Sequence, residues 1–202
     1  MHFPFRPLKI FDIVFALLIL PLALVLVPVW SWENGPIEGL QALVLFLGAQ
    51  YIWLLHHDEP RLTAVHRTYA AFLVLLGLRE LSFGRIFFPT ALRENGPQFI
   101  VMHDVPGWQL LYAILGVYMI YLLYSFWKYM PWRRLLHLPV PIVFLGGIVL
   151  GAVLSTAGDH TWVLDYSHAE TMEELGELLM YLCFVHTGLW YHHYLAQVQE
   201  DD

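Results

Sequence analysis

The chain has 202 residues, of which 58% are hydrophobic and 13% charged, and its formal net charge at pH 7 is -7. This length suits one domain, but the apolar excess is too large for a water-soluble globule. The acidic balance, with no arginine-rich arm, argues against a protein that binds nucleic acid. The single cysteine, Cys183, excludes an internal disulfide and a cysteine-based metal site. Composition therefore indicates an integral membrane protein.

Six apolar stretches are long enough to cross a bilayer, since a hydrocarbon core roughly 30 Å thick needs about 20 apolar residues in a helix. The runs are continuous rather than alternating, which predicts helices and not a membrane barrel. They are Phe11 to Trp30, Ile37 to His56, Thr68 to Phe88, Trp108 to Trp127, Leu138 to Ala157 and Glu173 to His193. The predicted fold is an all-α integral membrane protein, a single domain over residues 1–202 built as a bundle of about six transmembrane helices.

The first span follows the basic residues Arg6 and Lys9, as the apolar part of a signal peptide would. However, it is long, and it ends in the bulky side chains of Trp30 and Trp32 rather than in a small-residue cleavage site. We therefore expect it to remain as a membrane anchor.

Basic residues are distributed unevenly between the two sides of the predicted bundle. Short loops rich in lysine and arginine tend to stay in the cytoplasm. Seven basic residues lie on one side, Arg6, Lys9, Arg61, Arg67, Lys128, Arg133 and Arg134, and three fall at or near the other, Arg79, Arg85 and Arg93. This asymmetry predicts that both termini are cytoplasmic and that most of the acidic residues face outward.

The third span carries charged residues near its outer half. Arg79 and Glu80 lie about eleven and twelve residues into it, and Arg85 lies further out. Ionisable groups inside a membrane are costly unless they are paired, hydrated or buried in protein. We therefore expect neither Arg79 nor Glu80 to face lipid.

The sixth span begins with several acidic residues. Glu170, Glu174 and Glu177 share one helical face. Carboxylates this close repel one another, so they need a cation, a proton, or an arginine from another helix such as Arg79 or Arg85. Acids in a first turn also favour the helix dipole, which accounts for Glu170 and Glu173 without any function. Glu174 and Glu177 fit a packing network or a working site equally well.

Histidines in the predicted outer loops could bring imidazole ligands to this helix. His103 and His160, together with Glu174 and Glu177, would suit a divalent metal, although no HxxxH or HExxH spacing occurs.

A second group of histidines lies toward the cytoplasmic side. It consists of His56, His57 and His66 near the end of the second span and His186, His192 and His193 in the sixth. Histidines on facing helices can ligate haem iron. Histidines at interfaces are more often simply amphipathic, so haem is disfavoured. His186 stands out because it should lie within the apolar zone.

Two segments, 33–38 and 79–85, resemble a group of uncharacterised bacterial multi-pass membrane proteins. In that group an acid-Gly-x-x-Glu segment opens one helix, and the next helix closes on a motif like EEISWGQR. Here Glu80, Ser82 and Gly84 match the motif, Phe83 replaces its Trp, and Arg79 stands where its first Glu would be. The resemblance implies a location in the bacterial inner (plasma) membrane and no particular activity.

Three functions fit these residues. Intramembrane charges often pair only to fix helix packing, which favours a membrane scaffold or an assembly subunit working with a partner protein or as a homo-oligomer. The alternative is a membrane-embedded hydrolase of a lipid or lipid-linked substrate. There Glu80, Glu174 or Glu177 would act as general acid or base or bind a metal, with Arg79 and Arg85 beside them.

The third function is a small carrier or proton pathway that uses the same carboxylates. Transporters usually have polar groups through their whole thickness. Between Glu174 and the inner surface the sequence offers little besides His186, Thr187 and Gln50. This gap counts against conduction, and it counts less against an enzyme that works at the outer leaflet.

Overall fold

The chain is mostly helical, which agrees with the all-α prediction. The computed structural model describes residues 5–32, 35–93 and 96–197. In these ranges the α-helices are α1 (Phe5–Val25), α2 (Pro36–Leu54), α3 (Pro60–Glu80), α4 (Trp108–Tyr129), α5 (Trp132–Leu135), α6 (Ile142–Asp159) and α7 (Tyr166–Gln197). An antiparallel hairpin of β1 (Pro89–Arg93) and β2 (Gly96–Phe99) follows α3. Glu33 and Asn34, part of the resemblance, lie outside the described residues.

Four of the helices, α1, α2, α4 and α6, are long and apolar enough to cross a membrane. Much of their surface is apolar and exposed, as on Leu17, Leu47, Ile120 and Val149. A hydrocarbon environment accepts such surface, whereas water would not. The structure therefore supports a membrane protein with four candidate spanning helices.

Two further long helices, α3 and α7, carry more charge and lie inside the bundle. α7 packs against α6, α1, α2 and α3, and α3 packs against α2 and α4. Leu179, Tyr181 and Cys183 of α7 are completely buried. Because neighbouring helices cover α7, its polar side chains meet protein rather than lipid, which is the condition under which ionisable groups are tolerated there.

The third predicted span is shifted in the structure. α3 begins at Pro60, where proline suits a first helical position, and it ends at Glu80 instead of continuing to Phe88. Phe83 and Gly84 adopt left-handed backbone angles, with φ of 50° and 90°, which an α-helix cannot continue through. The apolar side chains after Glu80 therefore belong to a compact turn and the hairpin.

α6 and α7 approach closely at glycines. A Cβ atom added to Gly151 would lie 2.5 Å from the carbonyl oxygen of Gly176, and one added to Gly158 would lie 2.6 Å from that of Ala169. Small residues allow this backbone approach, which is a common way for helices to pack in membranes. The pairing fixes the position of the acidic start of α7 relative to the rest of the bundle.

Candidate functional site

The start of α2, the end of α3 and the start of α7 surround a polar cavity of about 440 Å³, which we call the acidic cavity. Its charged lining residues are Glu38, Glu80, Glu173, Glu174, Glu177, Arg79 and Arg85. The five catalytic candidates predicted from the sequence, Glu80, Glu174, Glu177, Arg79 and Arg85, thus line one space. Carboxylates outnumber guanidinium groups in this lining by five to two.

A hydrogen-bonded network joins α3 to α7 at the base of the acidic cavity. The Arg79 guanidinium contacts Glu80 Oε1 at 3.0 Å and donates to the Tyr181 hydroxyl at 2.6 Å. That hydroxyl donates in turn to Glu80 Oε1 at 2.6 Å. Arg79 also reaches Glu177 Oε1 at 3.4 Å. Glu80 is buried whereas the Arg79 side chain is 54% exposed, so the guanidinium faces the cavity.

Glu174 is held by an amide rather than by a basic group. The side chain of the fully buried Gln41 donates to Glu174 Oε2 at 2.9 Å and to the Glu174 carbonyl oxygen at 2.7 Å. No ion pair joins Glu173 or Glu174 to a basic side chain in the part of the chain that the structure describes. These two carboxyl groups therefore line the cavity without a basic partner among the described residues.

Arg85 lines the same cavity through a different set of contacts. Its guanidinium donates to the carbonyl oxygen of Ile100 at 3.2 Å and to the Ser82 hydroxyl at 3.3 Å. Arg85 therefore ties the turn after α3 to the segment that follows the hairpin.

The metal ligands predicted from the outer loops are not assembled around Glu174 and Glu177 in the described residues. His103 pairs with its neighbour Asp104 at 3.1 Å, and His160 pairs with its neighbour Asp159 at 3.4 Å. Neither histidine is among the residues that line the acidic cavity. His160 Nδ1 also lies 3.0 Å from the Thr156 carbonyl oxygen, so both histidines make local contacts in their own segments.

A buried pair that the sequence analysis missed lies deeper in the bundle. His186 Nδ1 of α7 and Asp12 Oδ2 of α1 are 2.8 Å apart, and Asp12 is 2% exposed. The signal was available, because a lone acid inside a long apolar run needs a partner. Tyr181 was also missed, since a tyrosine in an apolar helix reads as an ordinary aromatic residue.

Three of the six histidines grouped in the sequence come together at the opposite end of the bundle. The imidazole rings of His57, His66 and His192 have centroids 4.3 to 4.9 Å apart, and we call them the histidine cluster. Burial lowers the pKa of His57 to about 4, helped by repulsion from His66 and His56. His57 is therefore neutral at physiological pH. The rings are too close together for a porphyrin plane to lie between any two of them.

Comparison with known proteins adds no assignment. No protein-family model, curated protein or solved structure matches this chain. Function is therefore inferred from the acidic cavity and the histidine cluster themselves.

Proposed function

We propose that this chain is a six-span membrane protein of a bacterial inner membrane, with both termini in the cytoplasm, and that its acidic cavity binds protons or a small cation. The best-supported function is a small cation or proton carrier. The observation that carries it is the excess of carboxylates over guanidinium groups in one cavity.

The charge imbalance favours a binding site over a purely structural network. A network that only fixes helix packing is stable when its charges are paired, because an uncompensated charge in an apolar setting is costly. Arg79 is already shared by Glu80 and Glu177. Glu173 and Glu174 have no basic partner among the described residues, so ion pairing does not account for them. A bound proton or cation would compensate this charge.

Polar groups also lie deeper in the bundle than the acidic cavity, as a carrier would require. On α7, His186 lies nine residues below Glu177, and His192 lies six residues further, which correspond to rises of about 13 and 9 Å. His186 has its partner Asp12, and His192 belongs to the histidine cluster. Residues from other helices therefore add polar groups to the region between Glu174 and the inner surface, where the sequence of α7 alone shows few.

Apolar packing separates the acidic cavity from the polar groups deeper in the bundle. The chain would therefore hold discrete binding sites and not an open channel. Leu73 of α3 is fully buried and lies seven residues from both Glu80 and His66. Leu45 and Ile52 of α2 are also fully buried in the same core. An ion that passes this layer would require the helices to move, as carriers do.

Infrared spectroscopy on protein reconstituted in vesicles tests the binding site directly. Carboxylic acid and carboxylate groups absorb at different frequencies, so a pH or cation titration shows whether a cavity carboxyl binds a proton or an ion. We expect Glu174→Gln to remove the titrating signal. The matched control, Glu170→Gln, lies one turn earlier on the same helix and outside the cavity lining, so it should keep the signal.

Flux measurements on the same vesicles separate a carrier from a static site. A carrier should move protons or a monovalent cation across the vesicle membrane, and Glu174→Gln should reduce the rate to that of empty vesicles. A titrating carboxyl without flux would leave a binding site in a scaffold. If Glu174→Gln changes neither signal nor flux, the acidic cavity has only a structural role.

The hydrolase remains the second candidate because of one contact. The Tyr181 hydroxyl bridges Arg79 and Glu80 at 2.6 Å to each, an arrangement in which a carboxylate can accept a proton from a phenol beside a cation. Release of a water-soluble headgroup from the vesicle lipids, lost in Tyr181→Phe, would favour the hydrolase over the carrier.

A further inference from the structure

We propose that His57, His66 and His192 form a binding site for a divalent transition-metal ion, with Zn²⁺ the simplest occupant. The three imidazoles come from the loop between α2 and α3, from α3 and from α7. One ring nitrogen of each lies within 4.8 Å of the other two. Imidazole suits zinc, copper and nickel, and three histidines with one open position form a common zinc site. The site lies apart from the acidic cavity, so it does not depend on the proposed carrier function.

Two ring nitrogens of the cluster lack a hydrogen-bond partner. His57 Nε2 and His192 Nδ1 are both buried, and neither has a partner within the described residues. Buried polar atoms in folded proteins are nearly always satisfied. A cluster that served only for packing would leave both nitrogens unsatisfied, whereas a metal ion would accept a lone pair from each.

The third histidine is oriented to present a lone pair. His66 Nδ1 lies 2.8 Å from the carbonyl oxygen of Leu62. A carbonyl oxygen only accepts, so Nδ1 must carry the proton and donate. This fixes the tautomer and leaves Nε2 with a free lone pair. Metal-binding histidines are commonly oriented by such a bond to a backbone carbonyl.

The loop that carries His57 is held in place. The Thr63 hydroxyl donates to the His57 carbonyl oxygen at 3.1 Å and accepts from the His57 amide at 3.2 Å. Glu59 of the same loop pairs with Arg134 at 2.7 Å. Tetrahedral Zn–N bonds of about 2.0–2.1 Å place ligand nitrogens roughly 3.4 Å apart. The distances between the three ligand nitrogens therefore need to shorten by little more than 1 Å, which small side-chain rotations can provide.

A route leads from the surface to the cluster. His57 lines a cavity of about 620 Å³ at this end of the bundle, together with His56, Asp58, Arg67 and Tyr129. A plausible metal site needs such an entry path for the ion. The proposed topology places this cavity on the cytoplasmic side.

Metal binding is tested on full-length protein purified in detergent with an affinity tag that contains no histidine. After treatment with a chelator, the protein is incubated with ZnCl₂ or CoCl₂, desalted and analysed for metal content. We expect about one metal ion per chain, and Co²⁺ should give the visible absorption of a four-coordinate nitrogen site. Zn²⁺ should also raise the melting temperature, because a ligand that binds the native state stabilises it.

His66→Gln and His192→Gln should each weaken Zn²⁺ affinity at least about tenfold. They should also abolish the zinc-dependent rise in melting temperature. His193→Gln, next to His192 on α7 but outside the cluster, is the matched control and should bind like the wild type. The variants should differ from wild type mainly when metal is present, which separates lost ligation from lost packing. Wild-type protein without bound metal, or equal loss in His193→Gln, would overturn the proposal.

Discussion

Single residues of the acidic cavity depend on partners from their own helix and from a neighbouring one, as Glu80 shows. It is buried and accepts from Arg79 and Tyr181. Removing one partner of a fully buried ion pair costs about 3 to 5 kcal/mol. The Arg79 side chain is 54% exposed and keeps Glu177, and the Tyr181 hydroxyl keeps Arg79 and can donate to Glu177 at 3.4 Å. We therefore expect Glu80→Ala to cost less, about 1 to 3 kcal/mol, from the lost charge-assisted hydrogen bonds. Thermal unfolding in detergent, followed by tryptophan fluorescence, would measure the loss.

A second ion pair provides the control for Glu80. Glu59 pairs with Arg134 at 2.7 Å, and both side chains are more than a quarter exposed. Surface pairs contribute about 0 to 1 kcal/mol, so Glu59→Ala should change the melting temperature little. Equal losses in the two variants would mean that water solvates Glu80 as well as it does Glu59.

Residue types in the sequence predict the members of the acidic cavity better than their partners. Glu80, Glu174 and Glu177 stand out because charge is rare in apolar helices, and they do line one space. The partner of a charged group depends on helix rotation and depth, which tertiary packing determines. For this reason neither Tyr181 nor the selection of three histidines from six could be derived from spacing alone.

At the scale of secondary-structure elements, the contact between α6 and α7 depends on glycine. Gly151→Leu would place side-chain atoms against the Gly176 carbonyl and the Met180 backbone, so α7 would have to move away. Overpacking of this kind typically costs about 1 to 3 kcal/mol or more, and we expect a clear fall in the melting temperature. The shift should also reduce proton or cation binding, since α7 carries Glu174.

The same helix offers a matched control for Gly151. A Cβ atom on Gly146 would meet nothing within 4 Å, so Gly146→Leu should be tolerated in the same melting experiment. Replacing a helical glycine by itself favours the helix, so comparable destabilisation by both substitutions would mean that the close approach to α7 is not the cause.

The sequence predicts that a helix forms more readily than it predicts where the helix ends. Continuous apolar runs predicted the six long helices of the described residues, because backbone polar groups in an apolar setting must be hydrogen-bonded within a helix. The end of α3 was misplaced because the residues after Glu80 are equally apolar. The left-handed angles at Ser82, Phe83 and Gly84, and not a change in polarity, end this helix.

At the scale of the whole molecule, the number of membrane crossings decides which side each site faces. Four helices qualify as spans by length and composition, and α3 and α7 are not among them. α3 nevertheless packs against α2 and α4, and the 32 residues of α7 extend about 48 Å, more than the roughly 30 Å of a hydrocarbon core. We therefore expect both to cross, which gives six spans.

Reporter fusions distinguish six crossings from four. With six, a phosphatase that is active only outside the cytoplasm should be active after Gly35 and Tyr166 and silent after Leu62 and His137. If α3 and α7 did not cross, the fusion after His137 would become active and the fusion after Tyr166 silent. That topology would place Lys128, Arg133 and Arg134 outside, against the tendency of basic loops to remain in the cytoplasm. An active fusion after His137 would thus refute the six-span arrangement. The acidic cavity and the histidine cluster would then no longer lie at opposite surfaces of the membrane.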